Sequence, residues 1–179
     1  MNITYFVHGT TVDNELELAT GWADCELSEL GIQQAKELGK QAGNPYFDAI
    51  FCSDLKRARD TANFAFGESR LVIEDKRLRE AHYGDLTQQP SDSVKANIAQ
   101  YINTPFPNGE SYTDVEKRMA DFLNYLKPKF GNQSIALVAH QAPQLALDVL
   151  IEGKTWEQAF TEDWRHSKSW QPGWQYTLK

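Results

Sequence analysis

Asn2-Ile3-Thr4-Tyr5-Phe6-Val7-His8-Gly9-Thr10-Thr11 is a run of β-branched and aromatic residues that breaks into a polar corner containing glycine. It reads as a buried strand delivering an imidazole to the carboxyl edge of a sheet, the edge where open α/β sheets place their ligands. His8 by itself would be an ordinary packed histidine. Three other segments repeat the pattern: Cys52-Ser53-Asp54-Leu55-Lys56-Arg57-Ala58, Leu78-Arg79-Glu80 and Leu137-Val138-Ala139-His140. In each, an apolar stretch breaks into a turn bearing an imidazole, a guanidinium or a carboxylate, and His8, Ser53 and His140 are expected at one sheet edge.

Working outward, residues 1–7 read as the first strand and 8–25 as a long, mostly irregular segment, a length of loop that compact domains reserve for function. Ser28 is a good N-cap for a helix over 28–42, with Leu30, Ala35 and Leu38 on its apolar stripe. A strand is expected at 47–52, a helix at 55–66 with Arg57 in its first turn, and a short strand at 71–74. Free N–H groups at such a helix start suit an anion. Residues 79–110 read as an excursion over the site, with a helix at 91–102. Ser111 with Asp114 is a capping-box variant opening a helix to about 126. The near-continuous apolar run 134–139 suits a central strand covered on both faces, and 142–151 returns as a helix. The tail, with Pro172-Gly173 between 167–170 and 174–178, reads as a closing hairpin. The sum is one α/β domain over 1–179. It is a three-layer sandwich: a mostly parallel sheet, helices on both faces and an antiparallel closing strand.

The 179 residues include 18 Lys plus Arg and 25 Asp plus Glu, a net charge of −7. That balance argues against broad binding to nucleic acid or anionic membranes, so any anion site here must be locally positive. No apolar run approaches the ~20 residues that span a bilayer, and the chain opens on the strand without a leader-like stretch, so a cytoplasmic location is expected. Cys25 and Cys52 lack CxxC spacing, and no acids and histidines stand at metal-ligand spacing. Neither metal nor cofactor is expected. A monomer and a dimer fit equally.

The order of these segments resembles the histidine phosphatase superfamily, which includes the phosphoglycerate mutases. Val7-His8-Gly9-Thr10-Thr11 with Asn14 is similar to its opening Arg-His-Gly-Glu-Thr motif, and Thr20-Gly21 and Leu27-Ser28-Glu29-Leu30-Gly31 are similar to the family's entry into its first helix. Ser53, Leu55, Arg57, Ala58, Thr61 and Ala62 match the second motif, Leu78-Arg79-Glu80 with Tyr83-Gly84 the third, and Gly109-Glu110-Ser111 and His140 complete the set. The resemblance implies a phosphoglycerate mutase-like fold and a phosphomonoester substrate. It makes His8 the residue that is phosphorylated, with one ring nitrogen tied to backbone and Gly9 allowing a tight turn. Arg57 grips the phosphate bidentately; His140 and the backbone N–H of Gln141 complete the cradle. Asn14, Thr20 and Gly21 line the approach, and His82 contacts substrate near Tyr83. Glu80 is proton donor, then base.

The chain departs from that pattern at Val7, where the family carries arginine, at Thr10, and at Gln141. Losing a guanidinium costs ~1.5–3 kcal/mol of phosphate binding unless another cation replaces it, His82 or a Lys or Arg from a loop. Val7→Arg is then expected to raise kcat/KM. The leading reading is a metal-independent phosphatase acting on a small phosphorylated metabolite. A phosphoester-binding or regulatory protein with little turnover is the second, and a phosphoglycerate mutase the third. The excursion between Tyr83 and Gly109 carries one Lys and no Arg, few cations for the second phosphate a mutase handles.

Overall fold

The computed structural model describes residues 1–41, 46–67, 71–167 and 173–178. Its strands are β1 (Asn2–Val7), β2 (Ala49–Cys52), β3 (Val72–Glu74), β4 (Ser134–Ala139) and β5 (Trp174–Thr177). They form one sheet in the order β3-β2-β4-β1-β5, parallel except for β5, which runs antiparallel to β1. The register sets Tyr5 beside Leu137, Val7 beside Ala139 and Cys52 beside Val138.

Because strand side chains alternate, each buried strand serves two cores. Ile3, Tyr5, Phe51, Ile135 and Leu137 point to one face with Val115, Met119, Phe122 and Leu126 of α5 (Tyr112–Phe130) and Leu145, Ala146 and Leu147 of α6 (Gln141–Glu152). Phe6, Ile50, Cys52, Ala136 and Val138 point to the other, against Leu38 of α2 (Glu29–Gln41) and Ala62 of α3 (Lys56–Phe66). This is the expected three-layer sandwich.

Local differences from the sequence reading have identifiable causes. The segment after His8 is not wholly irregular: Thr11 and Asn14 close a capping box around one turn, α1 (Val12–Glu15). The helix expected over 91–102 is broken. It consists of α4 (Ser91–Lys95) and a 3-10 turn at Ile98–Tyr101, separated at Asn97, whose φ of −127° is not helical. Tyr101 then stacks on Phe106, ring centroids 3.9 Å apart, which fastens the excursion to the core. Helix α5 continues past its expected end through Pro128 to Phe130, whose ring packs on Phe51, and stops at Gly131 with φ +33°. Beyond α6 lie two short helices the sequence reading lacked, α7 (Trp156–Thr161) and α8 (Trp164–Ser167). Of the expected tail hairpin, the second arm is β5; Ser167 belongs to α8, and residues 168–172 lie outside the described residues. No helix among the described residues is long and apolar enough to cross a membrane.

The ladders continue one residue past the strands. His8 N–H donates to Ala139 O (3.0 Å) and Ser53 N–H to Val138 O (3.0 Å), which brings His8, Ser53 and His140 to the same carboxyl edge.

Candidate active site

A cleft of about 200 Å³ opens at that edge, with Val7, His8, Arg57 and Glu80 in its wall. The His8 ring Nδ1 lies 2.7 Å from its neighbour's carbonyl, Gly9 O. A carbonyl only accepts, so Nδ1 carries the hydrogen and Nε2 keeps its lone pair. Burial first, then the charges of Arg57 and Arg165, push the His8 pKa down to about 3 against the bond to Gly9, so the ring is neutral at physiological pH. Gly9 does not take a positive φ. Instead, a Cβ there would meet Gly31 O at 2.4 Å, and one on Gly31 would meet Thr10 O at 1.9 Å. Helix α2 therefore starts in direct backbone contact with the His8 corner, held by Ser28 N–H to Thr10 O.

The His140 ring lies beside that of His8, centroids 5.1 Å apart, and is fully buried. Burial, with Arg57 and His8 adjacent, holds it well below the usual histidine range. Its backbone is gripped by the Tyr5 hydroxyl, which donates to His140 O (2.7 Å) and accepts from His140 N–H (3.0 Å). Burial, reinforced by Glu80, keeps that phenol protonated.

Arg57 is 2% exposed. Its Nη1 donates to Ala23 O (3.2 Å) and Nη2 to Gly21 O (2.7 Å), so the guanidinium ties down the loop carrying Thr20 and Gly21, and only Nε is without a partner among the described residues. These bonds use one N–H of each terminal nitrogen and orient the guanidinium; each terminal nitrogen keeps a second N–H. Both ring nitrogens of His140 also lack partners among the described residues.

Glu80 is held as an acceptor. Oε1 receives Ala81 N–H and Ala142 N–H, both at 2.9 Å, and Oε2 receives Gln141 N–H at 3.1 Å. The Gln141 N–H expected in the phosphate cradle is therefore engaged with Glu80. Behind it, Arg118 donates to Glu80 O (2.9 Å) and pairs with Glu110 (3.1 Å), and Trp22 Nε1 donates to Glu80 O (2.6 Å). Glu110, part of the matched motifs, is a brace for this turn.

Asn14, Thr20, Gly21 and Tyr83 line the cleft as expected; Asn14 also caps α1 through Oδ1. His82 does not line it: its Nδ1 accepts Gly84 N–H (3.0 Å) and its ring packs edge-on against Trp22. The excursion does reach the cleft through Ser91, Val94 and Lys95. The residue sequence reading missed is Arg165, which lines the cleft from α8. No local pattern marks it; only the packing of α8 against α6 brings it there.

Strand order, the antiparallel edge and two imidazoles at one carboxyl edge make this a phosphoglycerate mutase-like α/β protein. The profile of the histidine phosphatase superfamily (branch 1) matches residues 5–173, and the chain belongs to that superfamily. It is 36% identical over 135 residues to the fructose-2,6-bisphosphatase TIGAR of Xenopus tropicalis, covering 69% of this chain and 49% of that protein. It is 32% identical over 150 residues to the adenosylcobalamin/alpha-ribazole phosphatase of Salmonella typhimurium, covering 75% and 71%. The chain thus spans about half the length of the first relative and more of the second. Among solved structures it is similar to the alpha-ribazole phosphatase of Shigella flexneri (TM-score 0.78, 26% identity, 90% and 84% of the two chains). It is also similar to a mycobacterial glucosyl-3-phosphoglycerate phosphatase (TM-score 0.76, 29% identity, 88% and 85%).

Proposed function

We propose that this protein hydrolyses a small phosphorylated metabolite through a phosphohistidine on His8. The observation that carries the reading is the His8 ring itself: neutral, with hydrogen on Nδ1 and a lone pair on Nε2, beside three buried polar atoms without partners among the described residues, Arg57 Nε and the two ring nitrogens of His140. Buried polar groups are costly unless paired, and a phosphoryl group supplies oxygens for Arg57 Nε–H and for the one N–H of the neutral His140 ring. Relatives bearing phosphatase names support the reaction class.

In the first half-reaction His8 Nε2 attacks phosphorus, the bond to the ester oxygen breaks, and Glu80 gives its proton to the departing alkoxide. In the second, Glu80 takes a proton from water, whose oxygen attacks phosphorus. The P–N bond breaks, returning the electron pair to Nε2 and releasing phosphate. Oε1 is filled by two N–H donors, so Oε2, with one, is the oxygen with a lone pair free to exchange the proton with the leaving group and with water. No cofactor enters these steps.

A panel of phosphomonoesters assayed with the parent and with His8→Ala tests this. The parent is expected to turn over at least one small ester and the variant none. Hydrolysis persisting in His8→Ala removes His8 as nucleophile, whereas saturable phosphate binding without turnover by the parent favours the binding protein.

A further inference from the structure

Arg165 reaches the cleft from the start of α8, in the same wall as Val7, His8 and Glu80. Its guanidinium is fixed on three sides. Nη1 pairs with Asp163 Oδ1 at 2.8 Å, Nη2 donates to Gln144 Oε1 at 3.1 Å, and the plane lies over the Trp164 ring, 4.5 Å from its centroid. The Asp163 side chain is 2% exposed, and its second oxygen takes a short bond from the Gln141 side chain, the residue whose N–H holds Glu80. Gln144 is itself buried. A buried carboxylate and a buried amide thus pre-set a guanidinium at the cleft, and its Nε has no partner among the described residues.

A phosphoryl dianion presents three oxygens, and Arg57, which already gives one N–H each to Gly21 and Ala23, brings a single positive charge to them. Val7 adds only methyl groups, and His82 faces Trp22. We infer that Arg165 is a second phosphoryl-binding residue of this site, with Asp163 and Gln144 as its positioning residues. Resting on the phosphatase reading, the inference adds to it which cation serves the phosphate. The chain supplies from its carboxyl-terminal end a charge that its first strand lacks. Pre-organisation by Asp163 and Gln144 reduces the entropy lost when the charge-assisted bond forms.

Calorimetric titration with inorganic phosphate, beside steady-state kinetics, tests this without depending on turnover. In Arg165→Met the phosphate Kd is expected to rise about tenfold to a hundredfold, the effect of one hydrogen bond to a charged group, with a similar fall in kcat/KM. Arg165→Lys should recover part of it, because an ammonium keeps the charge but not the fork that Asp163 and Gln144 hold. Adding Val7→Arg to Arg165→Met should restore phosphate binding, which a merely structural role of α8 would not allow. Unchanged phosphate affinity in Arg165→Met, with the parent's thermal melt, overturns the inference, as does a parent that binds no phosphate. Weakened binding by Arg165→Met in a parent that never hydrolyses leaves the inference standing and removes the phosphatase reading. Lost turnover in His8→Ala with unchanged affinity in Arg165→Met does the reverse.

Discussion

Glu80 is the residue whose setting says most about its task. Three backbone N–H groups from two segments fix the carboxylate, and Arg118 and Trp22 fix its carbonyl, so its position is set to a degree no surface acid needs. If it protonates the leaving oxygen, Glu80→Gln should lower kcat/KM on alkyl phosphates by about 10²- to 10⁴-fold. Aryl esters with good leaving groups, which depart without a proton, should lose far less. A purely structural Glu80 would penalise both classes alike, so the ratio between them decides.

At the scale of elements, the site depends on how closely α2 meets the end of β1. Gly9 and Gly31 are side by side because no Cβ fits between the two backbones. Gly31→Ala is therefore expected to cost about 1–3 kcal/mol or more as overpacking, and, by displacing the His8 corner, to reduce turnover further than the unfolded fraction explains. Denaturant melts paired with kcat check this; a variant with the parent's midpoint and rate contradicts the contact. Every strand and the helices packed on the sheet were legible in the sequence, because apolar runs that break into polar turns and caps such as Ser28 and Ser111 are local signals. The break at Asn97 was not: no proline or glycine marks it, and the turn that follows is held by Tyr101 stacking on Phe106, a packing contact rather than a local propensity. Within the site, His8, Arg57, Glu80 and His140 were readable from motifs at strand and helix ends. How Arg57 divides its nitrogens, what Gln141 N–H binds and where Arg165 lies all depend on contacts between segments far apart in the chain.

Over the whole molecule, an acidic protein of net charge −7 gathers Arg57, Lys95 and Arg165 at one cleft, the locally positive site a phosphate dianion requires. The same burial leaves a mark on stability. His8, at about 3, and His140, well below the ordinary range, bind fewer protons folded than unfolded once pH drops below the unfolded value of about 6.5. Stability then rises with pH through this window and is lost as pH falls from about 6.5, by up to about 1.4 kcal/mol per pH unit for each histidine. Urea midpoints measured from pH 7 to 4.5 should fall, and His8→Gln should flatten the decline; a flat profile in the parent contradicts the buried neutral pair. The central claim, that phosphoryl passes through His8, is tested most directly by trapping it. Protein turning over a phosphomonoester is quenched in alkali, where phosphohistidine survives, and the labelled peptide and ring nitrogen are identified by mass spectrometry and ³¹P NMR. The account predicts phosphate on Nε2 of His8; a label on His140, on Nδ1 of His8, or no base-stable label in a protein that hydrolyses the ester would contradict it.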